Sequence, residues 1–294
     1  MSDQPVVLDT FARKTFKKRT TAKSIVVSLS KHLVLCLAGV FFLGPFAYLL
    51  LTSVKSIDDI FAVPFVWWPK RFYWENYSNA VHAIPFFRYT LNTLFVSLLS
   101  VLGELIAAPL TAYGLARIPF KGRNVLFMIM MGTIMLPAQS TMVPLYVLFN
   151  KLDMVNSYWP LILPAYFGAA YYIFLLRQFF MGIPQEITES AKIDGASEFR
   201  IYAQMILPLS LPAVFTVGLL VFLNSWKDYQ LPLIYLNDPI KWTLSVGLKA
   251  FIGEYNIEWG MLMAAAALFA IPIIILYFFV QKVFIQGITM TGSK

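Results

Sequence analysis

The sequence has little charge, one cysteine and only two histidines. Of its 294 residues, 59% are hydrophobic and 13% are charged, whereas soluble domains carry roughly 25% charged residues. This shortage of charge excludes an ordinary soluble domain and indicates a chain that crosses a membrane several times. The lone Cys36 excludes an intramolecular disulfide framework. With so few His and Cys residues, the sequence offers no cluster of metal ligands, and we expect no metal site.

The sequence also has no G-x-x-x-x-G-K-[ST] loop, the motif whose backbone amides hold phosphate groups. We therefore expect no ATP hydrolysis, no catalytic residues and no cofactor in this chain. The net charge of +8 does not indicate nucleic-acid binding, because most of the positive residues fall at one face of the membrane, as the order of the spans shows.

Six apolar runs are long enough to cross a bilayer, which takes about 20 residues in a helix. They cover residues 33–54, 90–113, 125–148, 158–176, 206–224 and 261–281. The sequence thus predicts an all-α integral membrane protein with six transmembrane helices. Its parts are a basic tail at 1–31, a six-span domain at 32–281 and a short tail at 282–294. The first run and its polar leader are both too long for a cleavable signal peptide, so we expect the first run to span.

The distribution of Lys and Arg predicts the orientation. An even number of spans places both termini on one side, and 15 of the 23 Lys and Arg residues lie in the segments of that side. Positive residues are enriched in cytoplasmic loops. We therefore expect both termini in the cytoplasm, with the basic tail held at the anionic lipid surface.

A polar segment at residues 183–208, here called the polar island, separates the fourth and fifth apolar runs. Pro184 fits the first position of a helix, and Asp194-Gly195 fits its end, because glycine readily takes the left-handed conformation. Ser197 can cap a second helix. The island is therefore predicted to be a helix–turn–helix. Ile187 and Ala191 are expected to share one face of the first helix, and Phe199, Ala203 and Ile206 one face of the second.

The spacing within the island resembles a known loop. Glu189-Ser190-Ala191, three residues, Gly195, nine residues and Met205-Ile206-Leu207-Pro208 resemble the E-A-A-x3-G-x9-I-x-L-P loop of bacterial ABC-importer permeases. Ser190 and Met205 depart from that pattern. Three further segments are similar to the carbohydrate, maltose-permease branch of the family: AYGLARIPFKGR from Ala112, LPAQSTMVPLY from Leu136, and the ending from Gln281. The alternative interpretation of the island is an amphipathic loop on the membrane surface.

The resemblance implies a type I ABC-importer permease in the bacterial inner membrane, carrying a sugar or oligosaccharide. The implied partners are a second homologous permease subunit, two ATP-binding cassette ATPase subunits that hold ATP and Mg, and an extracytoplasmic solute-binding protein. The island would couple the chain to an ATPase through Glu186, Glu189, Ser190, Ala191, Asp194 and Gly195. An outer loop would meet the binding protein through Phe251, Gly253, Glu254 and Tyr255. The C-terminal tail would reach between the ATPases.

Glu104 is the only charged residue inside the six apolar runs. At 3.6 residues per turn, four small or polar residues fall within about 40° of it around the helix. They are Ser97, Ser100, Ala108 and Thr111. Such a stripe must face protein or water, and Gly103 and Ala107 beside it suit close helix packing. Two interpretations remain open for Glu104: a group on the translocation path, or a buried, hydrogen-bonded packing residue.

The third and fourth runs contain further path candidates. Pro137 and Pro144 interrupt the third run, and Gln139, Ser140 and Thr141 lie between them. Backbone groups freed by proline need partners at membrane depth, so we expect this stretch to line a cavity or to lie buried. In the fourth run, Tyr171 belongs to an aromatic cluster that could stack on a sugar ring. Packing or a position at the membrane interface is the alternative.

Two other classes of protein compete with the importer interpretation. A secondary transporter usually shows ionisable residues paired across internal repeats, and here there is one, without a visible repeat. A channel or a membrane scaffold would have no need of the spacing in the polar island.

Overall fold

The computed structural model describes residues 22–253 and 257–291. Within these ranges the regular structure is helical, apart from one isolated antiparallel bridge between Ile252 and Ile257. The chain forms two compact units, of which the first ends at Tyr48 and the second begins at Leu49. The prediction of an all-α chain is confirmed.

Four segments are long and apolar enough to cross a membrane as single spans. They are Val27–Ser53 of the helix Ala22–Ser53, the helix Phe86–Arg117, the segment Trp159–Gly182, and Trp259–Phe279 of the helix Trp259–Thr291. Trp159–Gly182 consists of the helix Trp159–Ile162, a 3-10 turn Leu163–Phe167 and the helix Ala170–Gly182. These are the first, second, fourth and sixth predicted spans. The terminal helices continue across residues 31–32 and 281–282, where the sequence suggested tails.

The third and fifth predicted spans are bent pairs of helices. Arg123–Ile134 meets Ala138–Lys151 at 98°, and Glu198–Leu209 meets Leu211–Lys227 at 78°. The chain has six spans when each bent pair counts as one.

Proline explains the first bend. Pro137 caps the second helix of the pair with an extended conformation, φ −65° and ψ 136°, and a residue before proline avoids the α conformation. Pro144, in contrast, lies inside the continuous helix Ala138–Lys151. The prediction that Pro144 also interrupts the span is wrong, because its ring removes one helical hydrogen bond without ending the helix here.

The second bend lies at Ser210. Its backbone has φ −102° and ψ 5°, and its amide donates to the carbonyls of Ile206 and Leu207, both at 3.1 Å. Its hydroxyl donates to the Ile206 carbonyl at 2.7 Å. The fifth predicted run began at residue 206, so the bend falls inside that run, and its first residues belong to the segment that leads out of the island.

Shorter helices complete the described chain. They are Ile57–Ile60, Glu75–Ala83, Gln185–Ile193, Gln230–Tyr235 and Leu244–Gly247, with 3-10 turns at Pro239–Lys241 and Leu248–Phe251. The segment Glu198–Leu209 contains a helical turn Glu198–Ile201, a π turn Tyr202–Ile206 and a turn Leu207–Leu209.

The second-span helix Phe86–Arg117 contributes to two apolar clusters. At its start, Phe86 and Tyr89 pack with Ala80, Leu244 and Ala264. Its other half packs with the fourth span, the fifth span and the polar island in a second cluster. This helix is therefore the common support for both ends of the second unit.

The stripe on the second-span helix faces protein over most of its length. Ser97, Ser100, Glu104 and Ala108 are buried, as predicted, but Thr111 is exposed. At that end the buried residues are Ala112 and Tyr113, which belong to the cluster formed with the fourth span and the polar island. The small residue Gly103 lies against the ring of Tyr166 in the fourth span.

Glu104 connects the second span to the break in the fourth. One carboxylate oxygen, Oε1, accepts a hydrogen bond from the Ala169 amide at 2.7 Å, and Ala169 directly precedes the helix Ala170–Gly182. The first amides of a helix lack partners within it, and negative charge is favoured there. Glu104 is thus a cap supplied by a neighbouring helix, which supports the interpretation of a buried, hydrogen-bonded residue.

Gly103→Ala should destabilise the chain, because the added Cβ would lie 2.6 Å from Cε2 and 2.9 Å from Cγ of Tyr166. Overpacking of this kind costs about 1–3 kcal/mol. The matched control is Gly114→Ala in the same helix, where an added Cβ meets nothing within 4 Å. Thermal unfolding of the detergent-purified chain measures both. A Gly103→Ala midpoint as high as that of Gly114→Ala would contradict the close contact.

Glu104→Gln should be milder than Glu104→Ala. Glutamine keeps an oxygen that can accept from the Ala169 amide, whereas alanine leaves that buried amide without an acceptor, a loss of about 1–3 kcal/mol. The same unfolding measurement compares the two variants. Equal destabilisation would mean that the hydrogen-bond acceptor is not what stabilises this contact.

Candidate functional site

The polar island folds as the predicted helix–turn–helix. The first helix is Gln185–Ile193. Pro184 is its N-cap residue, whereas the sequence predicted Pro184 at the first position of the helix. Gly195 has φ 78°. Its amide donates to the Lys192 carbonyl at 3.0 Å, and the Ala196 amide donates to the Ala191 carbonyl at 2.9 Å. This pair of hydrogen bonds is a Schellman motif, which requires the left-handed conformation that Gly195 supplies.

The second helical turn of the island begins as predicted. The Ser197 hydroxyl accepts from the Arg200 amide at 3.4 Å, so the serine is the N-cap of Glu198–Ile201. On the predicted shared face of the second helix, Ile206 is buried and Ala203 is half-buried, but the Phe199 side chain is 71% exposed. Ile201 and Tyr202 are buried as well. The π turn Tyr202–Ile206 changes the helical register between residues 199 and 206.

The first helix of the island presents its acidic residues outward. Thr188 and Ala191 are its buried residues, and Ile187 is half-buried. The other coupling candidates are all exposed: Glu186, Glu189, Ser190, Asp194 and Gly195. Among the described residues, the Glu189 carboxylate has neither an ion pair nor a hydrogen bond. The neighbouring Ile193 side chain is 87% exposed.

A cavity of about 360 Å³ lies beside the first island helix. Glu189 and Lys192 line it from the island, and Arg117 and Arg123 line it from the end of the second span and the following loop. Arg117 donates to the carbonyls of Phe180 at 2.5 Å and Ile183, where the fourth span ends. Sequence analysis assigned no role to Arg117, although a basic side chain near the last carbonyls of a helix can cap them.

A second cavity, of about 330 Å³, surrounds Glu104. Its other polar lining residues are Ser100, Tyr172, Asn224, Ser225, Asp228 and Thr243. Asn224 donates to the Tyr172 hydroxyl at 2.7 Å. Burial raises the pKa of the Asp228 carboxyl, against the opposing effect of hydrogen bonds from the Leu231 and Gln230 amides. The cavity thus combines hydroxyl, amide and carboxyl groups in an apolar wall.

The other path candidates do not line this cavity. Tyr171 is 50% exposed, and its neighbour Tyr172 is the ring that lines the cavity. Gln139 and Ser140 are exposed and Thr141 is half-buried, so the expectation that this stretch lies buried does not hold within the single chain. The Thr141 hydroxyl donates a hydrogen bond to the Ala138 carbonyl at 3.0 Å, just after the break at Pro137.

The candidate binding-protein loop is described only in part. Phe251 is 2% exposed and packs in the cluster with Tyr89 and Leu244, so its side chain is core and does not form a docking surface in this structure. Gly253 is exposed. Glu254 and Tyr255 lie outside the described residues. Over 22–253 and 257–291, no group of three or more His, Cys, Asp or Glu residues is arranged to hold a metal ion.

Comparison with known proteins agrees with this architecture. Residues 105–290 match the family described as "Binding-protein-dependent transport system inner membrane component". The probable ABC transporter permease protein YurM of Bacillus subtilis is 32% identical over 255 residues, covering 85% of this chain and 83% of that protein. The arabinooligosaccharides transport system permease protein AraQ of the same organism is 31% identical, covering 92% and 96%.

A solved structure shares the fold. It is the crystal structure of a bacterial ABC transporter involved in the import of the acidic polysaccharide alginate, with a TM-score of 0.77 and 24% sequence identity. The match covers 89% of this chain and 98% of the chain in that structure. The chain therefore belongs to the family of binding-protein-dependent transport system inner membrane components, as a multi-pass permease with the type I ABC-importer fold.

Proposed function

We propose that this chain is one of two homologous permease subunits of an ATP-driven importer for a sugar or oligosaccharide. An extracytoplasmic binding protein delivers the cargo, and two ATPase subunits, which hold ATP and Mg, power its passage. The arabinooligosaccharide transport named for the similar AraQ protein supports a carbohydrate cargo. Transport proceeds by alternating access, in which ATPase closure favours one of two global states of the permease.

The proposal rests on the exposure of the Glu189 side chain on the first island helix. Its helix is fixed by the Schellman turn at Gly195, and its carboxylate is exposed without a partner among the described residues. The apolar side chains of Ile193 and Phe199 are exposed in the same island. An island that exposes a charged group together with large apolar side chains suits a protein partner better than water. In the complex, Glu189 pairs with a basic residue in a cleft of an ATPase.

The cavity around Glu104 is the best-supported part of the sugar path on this chain. Hydroxyl and amide groups from Ser100, Tyr172 and Asn224 can exchange hydrogen bonds with sugar hydroxyls. Glu104 therefore combines both interpretations, since one carboxylate oxygen caps Ala169 while the residue still lines the cavity. Gln139, Ser140, Thr141 and Tyr171 remain predicted path residues that would face the second permease subunit.

The orientation follows from the positive-inside rule, with both termini and the island in the cytoplasm. This orientation places the island on the side where ATP is available. It places the segment around Asn237, and the loop that contains Gly253, on the side of the binding protein.

Glu189→Ala should uncouple the complex. Loss of one member of a partly buried ion pair leaves the other charge uncompensated, so association with the ATPases should weaken about tenfold or more, and transport should fall with it. Co-purification of the ATPases and uptake of the sugar that the binding protein carries measure the two effects. The comparison variant is Glu186→Ala, also exposed and one turn earlier in the same helix, which should have a milder effect because it lies closer to the solvated start of the helix. Wild-type uptake by Glu189→Ala would refute the coupling role.

A cysteine introduced at Asn237 should react with a membrane-impermeant maleimide added from outside, and one at Ser197 should not. Both positions are exposed in the structure, so a difference in reactivity reports the side of the membrane. The background variant is Cys36→Ser, because the native thiol is also exposed. Labelling of the Ser197 variant alone would reverse the proposed orientation.

A further inference from the structure

Three side chains join the second span to both helices of the polar island. Tyr113, near the end of the second-span helix, is 4% exposed, and its hydroxyl donates to Glu198 Oε2 at 2.7 Å. The other oxygen, Glu198 Oε1, lies 2.6 Å from Lys192 Nζ. Glu198 begins the second helical turn of the island, and Lys192 lies in the last turn of the first helix. These residues, here called the latch, form one chain of contacts across three elements.

The latch adds a directional hydrogen bond to the apolar contacts between the second span and the island. The rings of Tyr113 and Tyr202 lie 5.3 Å apart, and both residues belong to the same buried cluster as Ile201 and Ile206. Apolar contacts are non-directional and permit small rotations. A hydrogen bond to a charged acceptor fixes distance and angle. The Tyr113–Glu198 bond therefore sets the angle at which the island meets the second span.

Among the described residues, a second polar contact between these elements lies elsewhere. Arg117 donates to the Ile183 carbonyl at the start of the island, which fixes the point where the chain leaves the fourth span. It makes no hydrogen bond to the two island helices among the described residues. The latch is therefore the polar contact, among the described residues, that opposes tilting of those two helices.

We propose that Tyr113 and Glu198 are positioning residues that make the polar island a rigid extension of the second span, so that island movement is transmitted to the helix that carries Glu104. Lys192 holds the Glu198 carboxylate ionised and turned toward Tyr113. The inference rests on the proposed coupling function and assigns residues to it that lie outside the ATPase-facing surface. Without the latch, an ATPase could move the island while the second span stays behind.

The test uses the assembled complex of both permeases and the ATPases, with Cys36→Ser and spin labels at two exposed positions, Leu91 in the second span and Arg200 in the island. Tyr113→Phe keeps the ring and removes the hydroxyl. Tyr202→Phe is the matched control, since no hydrogen bond of the Tyr202 hydroxyl is found among the described residues. Electron–electron resonance gives the distance distribution in the resting and vanadate-trapped states.

In Tyr113→Phe, the population with a displaced island should rise about tenfold, the expected effect of losing a hydrogen bond to a charged acceptor. The stimulation of ATP hydrolysis by the binding protein, purified with the ligand it carries, should fall by a similar factor per assembled complex. A purely structural defect would lower the amount of complex without changing that ratio. Tyr202→Phe should match the parent in both measurements.

Adding Glu198→Ala to Tyr113→Phe should produce no further change beyond the more severe single variant, because residues that act through one another are not additive. An unchanged distance distribution in Tyr113→Phe, or equal broadening in Tyr202→Phe, overturns the latch. The failure of the coupling role is distinguishable, because it would appear as normal transport by Glu189→Ala, whatever the distances show.

Discussion

The hydrogen bond from the Ala169 amide to the Glu104 carboxylate is the interaction on which the membrane domain depends. Between Phe167 and Ala170 the fourth span leaves helical geometry, and a backbone amide freed among apolar side chains costs several kcal/mol if it finds no acceptor. Glu104 supplies that acceptor from the neighbouring helix. The contact is possible because Gly103, one residue earlier, leaves room for the ring of Tyr166 against the same turn.

The C-terminal end of the helix Ala170–Gly182 is also capped by a side chain from the second span, in this case a positively charged one. Arg117 donates to the carbonyls of Phe180 and Ile183, where the helix Ala170–Gly182 ends. The acid therefore lies at the start of that helix and the base at its end, as the helix dipole favours. Both side chains come from the second span. Arg177 donates in return to the Leu115 carbonyl at 3.1 Å, so the two helices are connected in both directions.

The features that the sequence predicted correctly are those that depend on a few neighbouring residues. The left-handed turn at Gly195 and the cap at Ser197 follow from local chemistry. The inward direction of Glu104 follows from the cost of charge in lipid. The choice between Tyr171 and Tyr172 was beyond sequence reasoning, because the irregular backbone before Ala170 fixes the rotation of that helix. The burial of Phe251 was not predicted for a related reason, since a loop that folds back onto a core has no periodic signal.

Pro144 shows a different limit. A proline within an apolar run predicts an interruption, but only Pro137 lies at a break between helices, while Pro144 remains inside one. The difference lies in the preceding residues, because Leu136 occupies the break itself, after the helix has already ended at Ile134. Two prolines seven residues apart in the same apolar run therefore have different consequences.

The exposure of Phe199, which the sequence did not predict, follows from the irregular turn Tyr202–Ile206. On a regular helix Phe199 and Ile206, seven residues apart, would share a face, but a π turn rotates less per residue than an α-helix and so separates them. Tyr202 packs against Tyr113, whereas Phe199 is exposed. The irregular turn thus separates an inner face, which meets the second span, from an outer face on which Phe199 is exposed. A regular helix with this sequence would have buried Phe199 and lost that outer face.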